Sequence, residues 1–371
     1  MKIKSQKSDL LNSVNIVLKA VSVKSTMPIL ESLVIEAADQ HIRMIANDME
    51  LGIETKVEGT VIEPGMVALN AKIFSEIIRR LPENEVDIIT DDNFVTNILC
   101  EKSKFSISGI SGEDFPFLPE IEREKALEIS QFTLKELIRQ TVFSISDNEN
   151  NKIMTGELFE VRNNELRVVS LDGHRISIRN ISLKHEFEDI KVIIPGKTLN
   201  EISKILSGDA TSIVKIYFTD KHALFEFDHT LVVTRLIEGE YYRIDQMLSS
   251  DYESKITINK QELLNCIERA SLLIRETEKK PIIIQVEGDN LQLRTNTTIG
   301  SMKEDINITL EGKDIIIGFN PRFLLDALRV IDDESVDIYL INAKSPCFIR
   351  DEKESYIYLI LPVNINIAET E

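Results

Sequence analysis

Asp172, His174 and Arg175 are the residues of this 371-residue chain whose types and spacing come nearest to a catalytic set. Carboxylate and imidazole lie two apart on what reads as a strand leaving a turn. Both could point to one face as an acid–base pair, with the guanidinium beside them as an anion clamp. No nucleophile or metal ligand joins them. His41, His185, His222 and His229 are scattered without metal spacing, and no GxxxxGK[ST] or GxGxxG loop is present to cradle phosphates. Cys100, Cys266 and Cys347 are odd in number, far apart and without a CxxC pair, so they imply neither a disulfide framework nor a zinc site and read as buried thiols. His174 is therefore expected in a pocket or a satisfied core, and no cofactor, metal or catalysis is expected.

The elements that position these residues repeat along the chain. Pro195 to Phe218 opens on a Gly-Lys turn, carries Leu199, Ile202, Ile205 and Leu206 at helical spacing, stops at Gly208 and continues as a strand, Ile213 to Phe218. The same module stands at Leu69 to Ile89 and at Gly318 to Leu340. Its copies at Asn70, Gly196 and Asn320 are offset by 126 and 124 residues. A second amphipathic helix recurs at Leu10 to Val21, Leu134 to Ile145 and Leu263 to Ile274. Each precedes a strand pair, Leu33 to Val57, Glu157 to Ile181 and Pro281 to Ile306, that turns at Asp39-Gln40, Asn163-Asn164 and Gly288-Asp289-Asn290. Late strand pairs at Asn93 to Phe115, Lys221 to Tyr242 and Ser345 to Val363 close the thirds. Three α+β domains of one design are expected, at 1–124, 125–250 and 251–371, which suits the length.

No run of about 18 apolar residues could span a bilayer. The start, MKIKSQKSDLL, reads as passing straight into a helix without the apolar core of a signal peptide, so a cytoplasmic protein without membrane contact is expected. The net charge of −19 argues at first against nucleic acid. Sign, however, is sorted by element: the six helices carry fourteen basic residues against seven acids, a balance of +7, and the remainder carries −26. Lys and Arg are good helix formers that collect near helix ends, which is one account. The other is a shared basic face on the helices, with Lys72, Arg79, Arg80, Lys135, Arg139, Lys197 and Lys204 toward DNA and an acidic sheet face behind. Two such chains end to end would line a perimeter with twelve helices at about 9 Å spacing, a circle roughly 35 Å across, wide enough for hydrated duplex DNA held without base readout. A plain structural scaffold would share the repeats but would not account for the sorting.

Thr26-Met27-Pro28-Ile29-Leu30, Ser170 to Ile176 (SLDGHRI), Ile317-Gly318-Phe319-Asn320 and Leu359-Ile360-Leu361-Pro362-Val363, in this order and with the threefold repeat, resemble the bacterial sliding clamp family, the β subunit of DNA polymerase III. The resemblance runs from the first strand to about Ile365. It implies a head-to-tail homodimeric ring, helices inside and antiparallel sheets outside, that encircles duplex DNA irrespective of sequence. It also implies a hydrophobic pocket between the second and third domains for short linear peptides of the polymerase catalytic subunit, the clamp loader and other clients. The matching pocket positions are Met154, Thr155, Leu171, Gly173, His174, Arg175, Ile176, Tyr242 and Met247, with Asn320, Phe323, Ala343, Ser345, Ile360, Leu361, Pro362 and Val363 from the last third. Near DNA the resemblance adds Lys24, and from the loop Asp147 to Lys152 only Asn148 and Lys152. By family analogy, ring closure falls near Phe74 to Lys104 and Glu262 to Glu311. The chain departs from the family where Tyr242 replaces a Pro and Asn364 replaces a basic residue; a tail, Ile365 to Glu371, ends acidic.

Overall fold

A computed structural model describes residues 1–22, 25–275 and 280–365. Lys24 and most of the tail from Ile365 lie outside them. Among the described residues there are six α-helices: α1 (Lys7–Val17), α2 (Ala71–Arg80), α3 (Gln131–Thr141), α4 (Gly196–Ile205), α5 (Lys260–Ser271) and α6 (Pro321–Val330). All six overlap the repeated helical stretches. Asn70, Asn259 and Asn320 cap α2, α5 and α6, each side-chain oxygen accepting a backbone N–H of the first turn. Each helix of the α1, α3, α5 set starts three residues before its apolar stretch, because the residues ahead of the first Leu, polar except for the exposed Phe132, already lie in the first turn.

Two of the expected readings are corrected. MKIKSQ is a strand, Lys2–Gln6, which hydrogen-bonds on both sides, to Thr60–Glu63 and to Glu85–Thr90, and buries only Ile3 and Ser5. Its alternation is too short and too polar to stand out in sequence. The strand pairs are triples: Ser32–Ala38, His41–Asn47 and Leu51–Val57; Gly156–Arg162, Glu165–Leu171 and Arg175–Ser182; Ile282–Glu287, Asn290–Thr297 and Gly300–Asn307. The first turns were legible because Asp39-Gln40 and Asn163-Asn164 take positive φ at both central positions, the two-residue hairpin geometry. The second turns, at Asp48 to Glu50 and Asp172 to His174, are one residue longer and each is built on one aspartate.

The chain packs as two compact units, residues 1–135 with 198–236, and residues 136–197 with 237–371. In the first, α1 packs on α2 and on strand Leu51–Val57. Strand Leu51–Val57 of the first third pairs with Thr230–Arg235 of the middle third, joining four strands from each into one eight-stranded sheet. A five-stranded sheet ends at Ser103–Ser108. In the second unit, Arg175–Ser182 pairs with Tyr356–Ile360 to make a nine-stranded sheet, and a four-stranded sheet ends at Gly300–Asn307. The middle third is divided because each of its half-sheets completes a sheet begun by a neighbour. The last third's core, with Leu263, Cys266, Ile267, Phe319, Leu324 and Leu328 fully or almost fully buried, lies under α5 and α6. All three cysteines are buried, and burial pushes the Cys266 and Cys347 thiols up to about 12. Among the described residues no helix is long and apolar enough to cross a membrane.

Glu157 is wholly buried in strand Gly156–Arg162, and neither carboxylate oxygen has a hydrogen-bond partner. Burial pushes its carboxyl up to about 8, against a smaller lowering by Thr141, whose hydroxyl donates to the Leu137 carbonyl at 2.6 Å. The folded chain thus keeps a proton that the unfolded chain has released, and stability falls as pH rises from the ordinary carboxylate range through about 8. Glu157→Gln should remove that fall: unfolding free energies of variant and parent from urea titrations should agree near pH 4 and separate by on the order of a few kcal/mol in the variant's favour above pH 8.

Candidate functional site

The SLDGHRI stretch forms one turn and its flanks. Asp172 Oδ1 accepts the backbone N–H groups of His174 and Arg175 at 2.9 and 3.1 Å, and Gly173 supplies the positive φ, +89°, that the turn requires. The other oxygen, Oδ2, accepts Nε of Arg175 at 3.0 Å. Both carboxylate oxygens are thereby occupied, and the His174 ring stacks instead on Phe323 of α6, centroids 6.1 Å apart and planes 20° apart. The geometry is that of a structural turn and offers no acid–base pair.

Arg175 is buried, and its guanidinium joins three elements. It donates to Asp326 of α6 at 2.7 Å, to the Phe143 carbonyl at 2.6 Å and to Asp172, and it lies over the rings of Phe323 and Phe143 at 4.6 and 5.4 Å. Asp326, Phe143 and Asp172 were missed as partners. Asp172 stands three residues before Arg175 in an Asx turn and could have been found, whereas nothing in sequence links Arg175 to positions 143 and 326.

Beside this clip runs the C-terminal strand. Arg175 and Ile176 are register partners of Ile360 and Leu359, the Leu361 N–H donates to the His174 carbonyl at 2.9 Å, and the Val363 N–H donates to Gly318 at 2.8 Å. Leu361-Pro362-Val363 is thus pinned at both ends, with Leu361 37% exposed above the apolar layer. That layer contains Leu171 and Ile176, with Met154 and Tyr242 packed against it. Tyr242 stands edge-on to Tyr241, and its hydroxyl accepts Asn151 Nδ2 at 2.7 Å, so the residue in place of a proline is held by a hydrogen bond. Ile360 lies instead in the core of the last third, against which Phe323 packs. Met247 is exposed, and its N–H donates to the Ile244 carbonyl. Asn320 is spent on capping α6, Thr155 donates to the Lys152 carbonyl, and Ala343 and Ser345 lie on a loop turned by Asn342.

The basic residues separate into two kinds. Lys72, Lys197 and Lys152 are exposed, as is Asn148, whose side-chain oxygen accepts the Asn150 N–H. Arg79 and Arg80 both reach Glu76, and Lys204 reaches Glu201, in exposed pairs on their own helices. Lys135 and Arg139 are engaged more deeply. Lys135 Nζ donates to the Leu206 carbonyl beyond the end of α4, and Arg139 is held by Glu136 and Asp332, which together raise its guanidinium further above its usual range. Among the described residues no group of three or more His, Cys, Asp or Glu side chains could hold a metal ion.

Three family models match in succession: the N-terminal domain of the DNA polymerase III β subunit over residues 1–119, its central domain over 128–242 and its C-terminal domain over 245–364. The chain is 36% identical to the β sliding clamp of Bacillus subtilis, over 98% of this chain and 99% of the relative. The chain belongs to the bacterial sliding-clamp family. It is similar to the crystal structure of a putative DNA polymerase III β subunit from Eubacterium rectale at 60% identity and a TM-score of 0.96, over 99% of this chain and 100% of that one. It is similar also to the Bacillus subtilis sliding clamp structure at 34% identity and 0.95, with the same coverage. The chain is thus a sliding clamp of three α+β clamp domains, a processivity subunit of DNA polymerase III without catalysis of its own.

Removing the Arg175 side chain leaves two mostly buried carboxylates short of their main partner, with Asp172 keeping only its backbone N–H groups and Asp326 only Arg322 at 3.9 Å. Arg175→Ala is expected to cost about 3–5 kcal/mol, and Arg175→Lys, which cannot form the three-way fork, to recover only part of it, as read from chemical unfolding followed by fluorescence of the tyrosines.

Proposed function

We propose that two copies of this chain close head to tail into a ring around duplex DNA in the cytoplasm, and that the cleft beside Leu361 takes short linear peptides of the polymerase and other clients. The domain limits are taken at about residues 124 and 250. The observation that carries the ring is a pairing rule that the chain obeys twice and leaves open once. The last strand of each third is Ser103–Ser108, Thr230–Arg235 or Tyr356–Ile360; the third strand of each triple is Leu51–Val57, Arg175–Ser182 or Gly300–Asn307. Within the chain, Thr230–Arg235 pairs with Leu51–Val57 and Tyr356–Ile360 with Arg175–Ser182, both antiparallel. Ser103–Ser108 and Gly300–Asn307 remain as sheet edges. Supplying each with the other from a second chain repeats the rule and removes two open edges, which are otherwise templates for uncontrolled pairing. Phe105, 40% exposed on the first edge, would be covered there.

The exposed cations on α2 and α4 support the DNA-facing side, since phosphate contacts supply affinity without sequence readout. The peptide reading rests on an apolar layer at a domain junction, capped by a half-exposed leucine pinned through its backbone.

Solution mass and negative-stain electron microscopy test the ring together. Twice the chain mass and a central hole of roughly 35 Å, the circle set by helix spacing, are expected, with Phe105→Asp shifting the mass to one chain. Compact particles with no hole at any concentration would overturn it. For the cleft, Leu361→Ala with Val363→Ala should weaken a polymerase-derived peptide by about 1–3 kcal/mol in calorimetry and leave the dimer intact; unchanged binding would place the client site elsewhere.

A further inference from the structure

The joint between the first and middle thirds repeats the peptide cleft's backbone frame, hydrogen bond for hydrogen bond. Asp48, 124 residues before Asp172, accepts the N–H groups of Glu50 and Leu51 on Oδ1 at 3.0 and 2.8 Å, as Asp172 accepts those of His174 and Arg175. The Arg235 N–H donates to the Glu50 carbonyl at 3.0 Å, as that of Leu361 does to His174 at 2.9 Å. The position after the aspartate has positive φ in both turns, +76° at Met49 and +89° at Gly173. A methionine in that conformation is uncommon and costs strain. Met49 holds it while 56% exposed, so no burial of its own side chain offsets the cost.

This second frame encloses a cleft of about 150 Å³. Its floor is Leu118, which packs so closely on Gly52 that a Cβ there would meet it at 2.9 Å; the equivalent residue in the other frame, Ile176, instead helps form the apolar layer itself. Met49, Phe117 and Val233 give the lining its apolar part, and Phe117 stands 40% exposed. His222 and Arg235 are register partners on adjacent strands, so the strand wall sets a guanidinium beside an imidazole, and Glu50 of the turn lines the cleft as well. Where the Leu361 cleft presents a leucine, this one presents an arginine.

We infer that the cleft framed by Met49, Phe117 and Arg235 is a second peptide-binding site, for a short extended segment carrying an apolar side chain followed by a carboxylate. The apolar side chain enters between Met49, Phe117 and Val233, and the carboxylate meets Arg235 and His222. The inference rests on the reading of the Leu361 cleft as a peptide site, whose frame it shares, but the chemistry selected differs: the Arg235 guanidinium favours an acidic residue that the Leu361 cleft does not require.

The test uses the full chain with its methionine methyl groups labelled with carbon-13 and the synthetic peptide acetyl-Ala-Leu-Phe-Asp-Glu-amide as probe. Met49 reports this cleft, and Met154 and Met247 report the other. A saturable shift of the Met49 signal is expected, weakened at least ten-fold in apparent affinity by Arg235→Glu and by Phe117→Ser. The Met154 and Met247 signals of both variants should keep the parent positions, which certifies their folding, and their titrations should be unchanged. Leu361→Ala with Val363→Ala should do the reverse. A Met49 signal that stays still, whatever Met154 and Met247 do, overturns the second site, as does one that moves only while Leu361 and Val363 are intact. A Met49 response with Met154 and Met247 unmoved sustains this site and counts instead against the Leu361 cleft.

Discussion

An open strand edge is the constraint on which the rest of this molecule depends. Backbone N–H and C=O groups at the margin of a sheet must find partners, and each repeat here ends its sheets with margins that only another repeat can complete. Thr230–Arg235 completes the sheet of Leu51–Val57, and Tyr356–Ile360 completes that of Arg175–Ser182. Contact therefore follows the sheets and cuts across the sequence repeats. Three repeats in sequence become two compact units in space, with the middle repeat divided between them.

The same joints place the two aspartate turns. A strand that crosses from one repeat to the next must begin or end beside the turn that starts its partner, so each joint brings a tight aspartate turn against a strand terminus. At the second joint the turn is reinforced by Arg175, which bonds to Asp172, Asp326 and the Phe143 carbonyl. At the first joint the equivalent position is Leu51, buried and apolar. A buried charge cluster costs desolvation that an apolar residue does not, and its gain lies in fixing one arrangement of several elements. The two joints thus share a backbone and differ in how firmly side chains hold what surrounds it. The half-exposed Leu361 sits at the firmer one.

How much of this was legible depended on what sets each feature. Helices could be read because their apolar spacing is local, and the first turn of each triple because Asp39-Gln40 and Asn163-Asn164 announce positive φ. Strand Lys2–Gln6 was hidden because its partners, not its own pattern, make it a strand. Leu171, Ile176, Met154 and Tyr242 were grouped from the sequence and share one apolar layer. The Arg175 clip was not, because its ties to Phe143 and Asp326 span 32 and 151 residues and are created by folding. Asn151 reached Tyr242 the same way, across 91 residues.

Charge poses the remaining problem, since a chain of net −19 must hold a polyanion under the proposed reading. The pairing on the helices supplies an answer. Arg79 and Arg80 share Glu76, and Lys204 shares Glu201, in pairs whose cations are at least half exposed. Such pairs stabilise a fold by only about 0.2–1 kcal/mol, so exchanging a carboxylate for a phosphate costs little. Arg139, gripped by Glu136 and Asp332, and Lys135, bonded to a backbone carbonyl, are less available. Under the proposed reading, a surface whose cations are lightly held by their own acids would bind DNA through many weak, replaceable contacts. The acids also limit the depth of each contact, and shallow contacts of similar strength are what allow a bound duplex to move along its axis without a large barrier at any step.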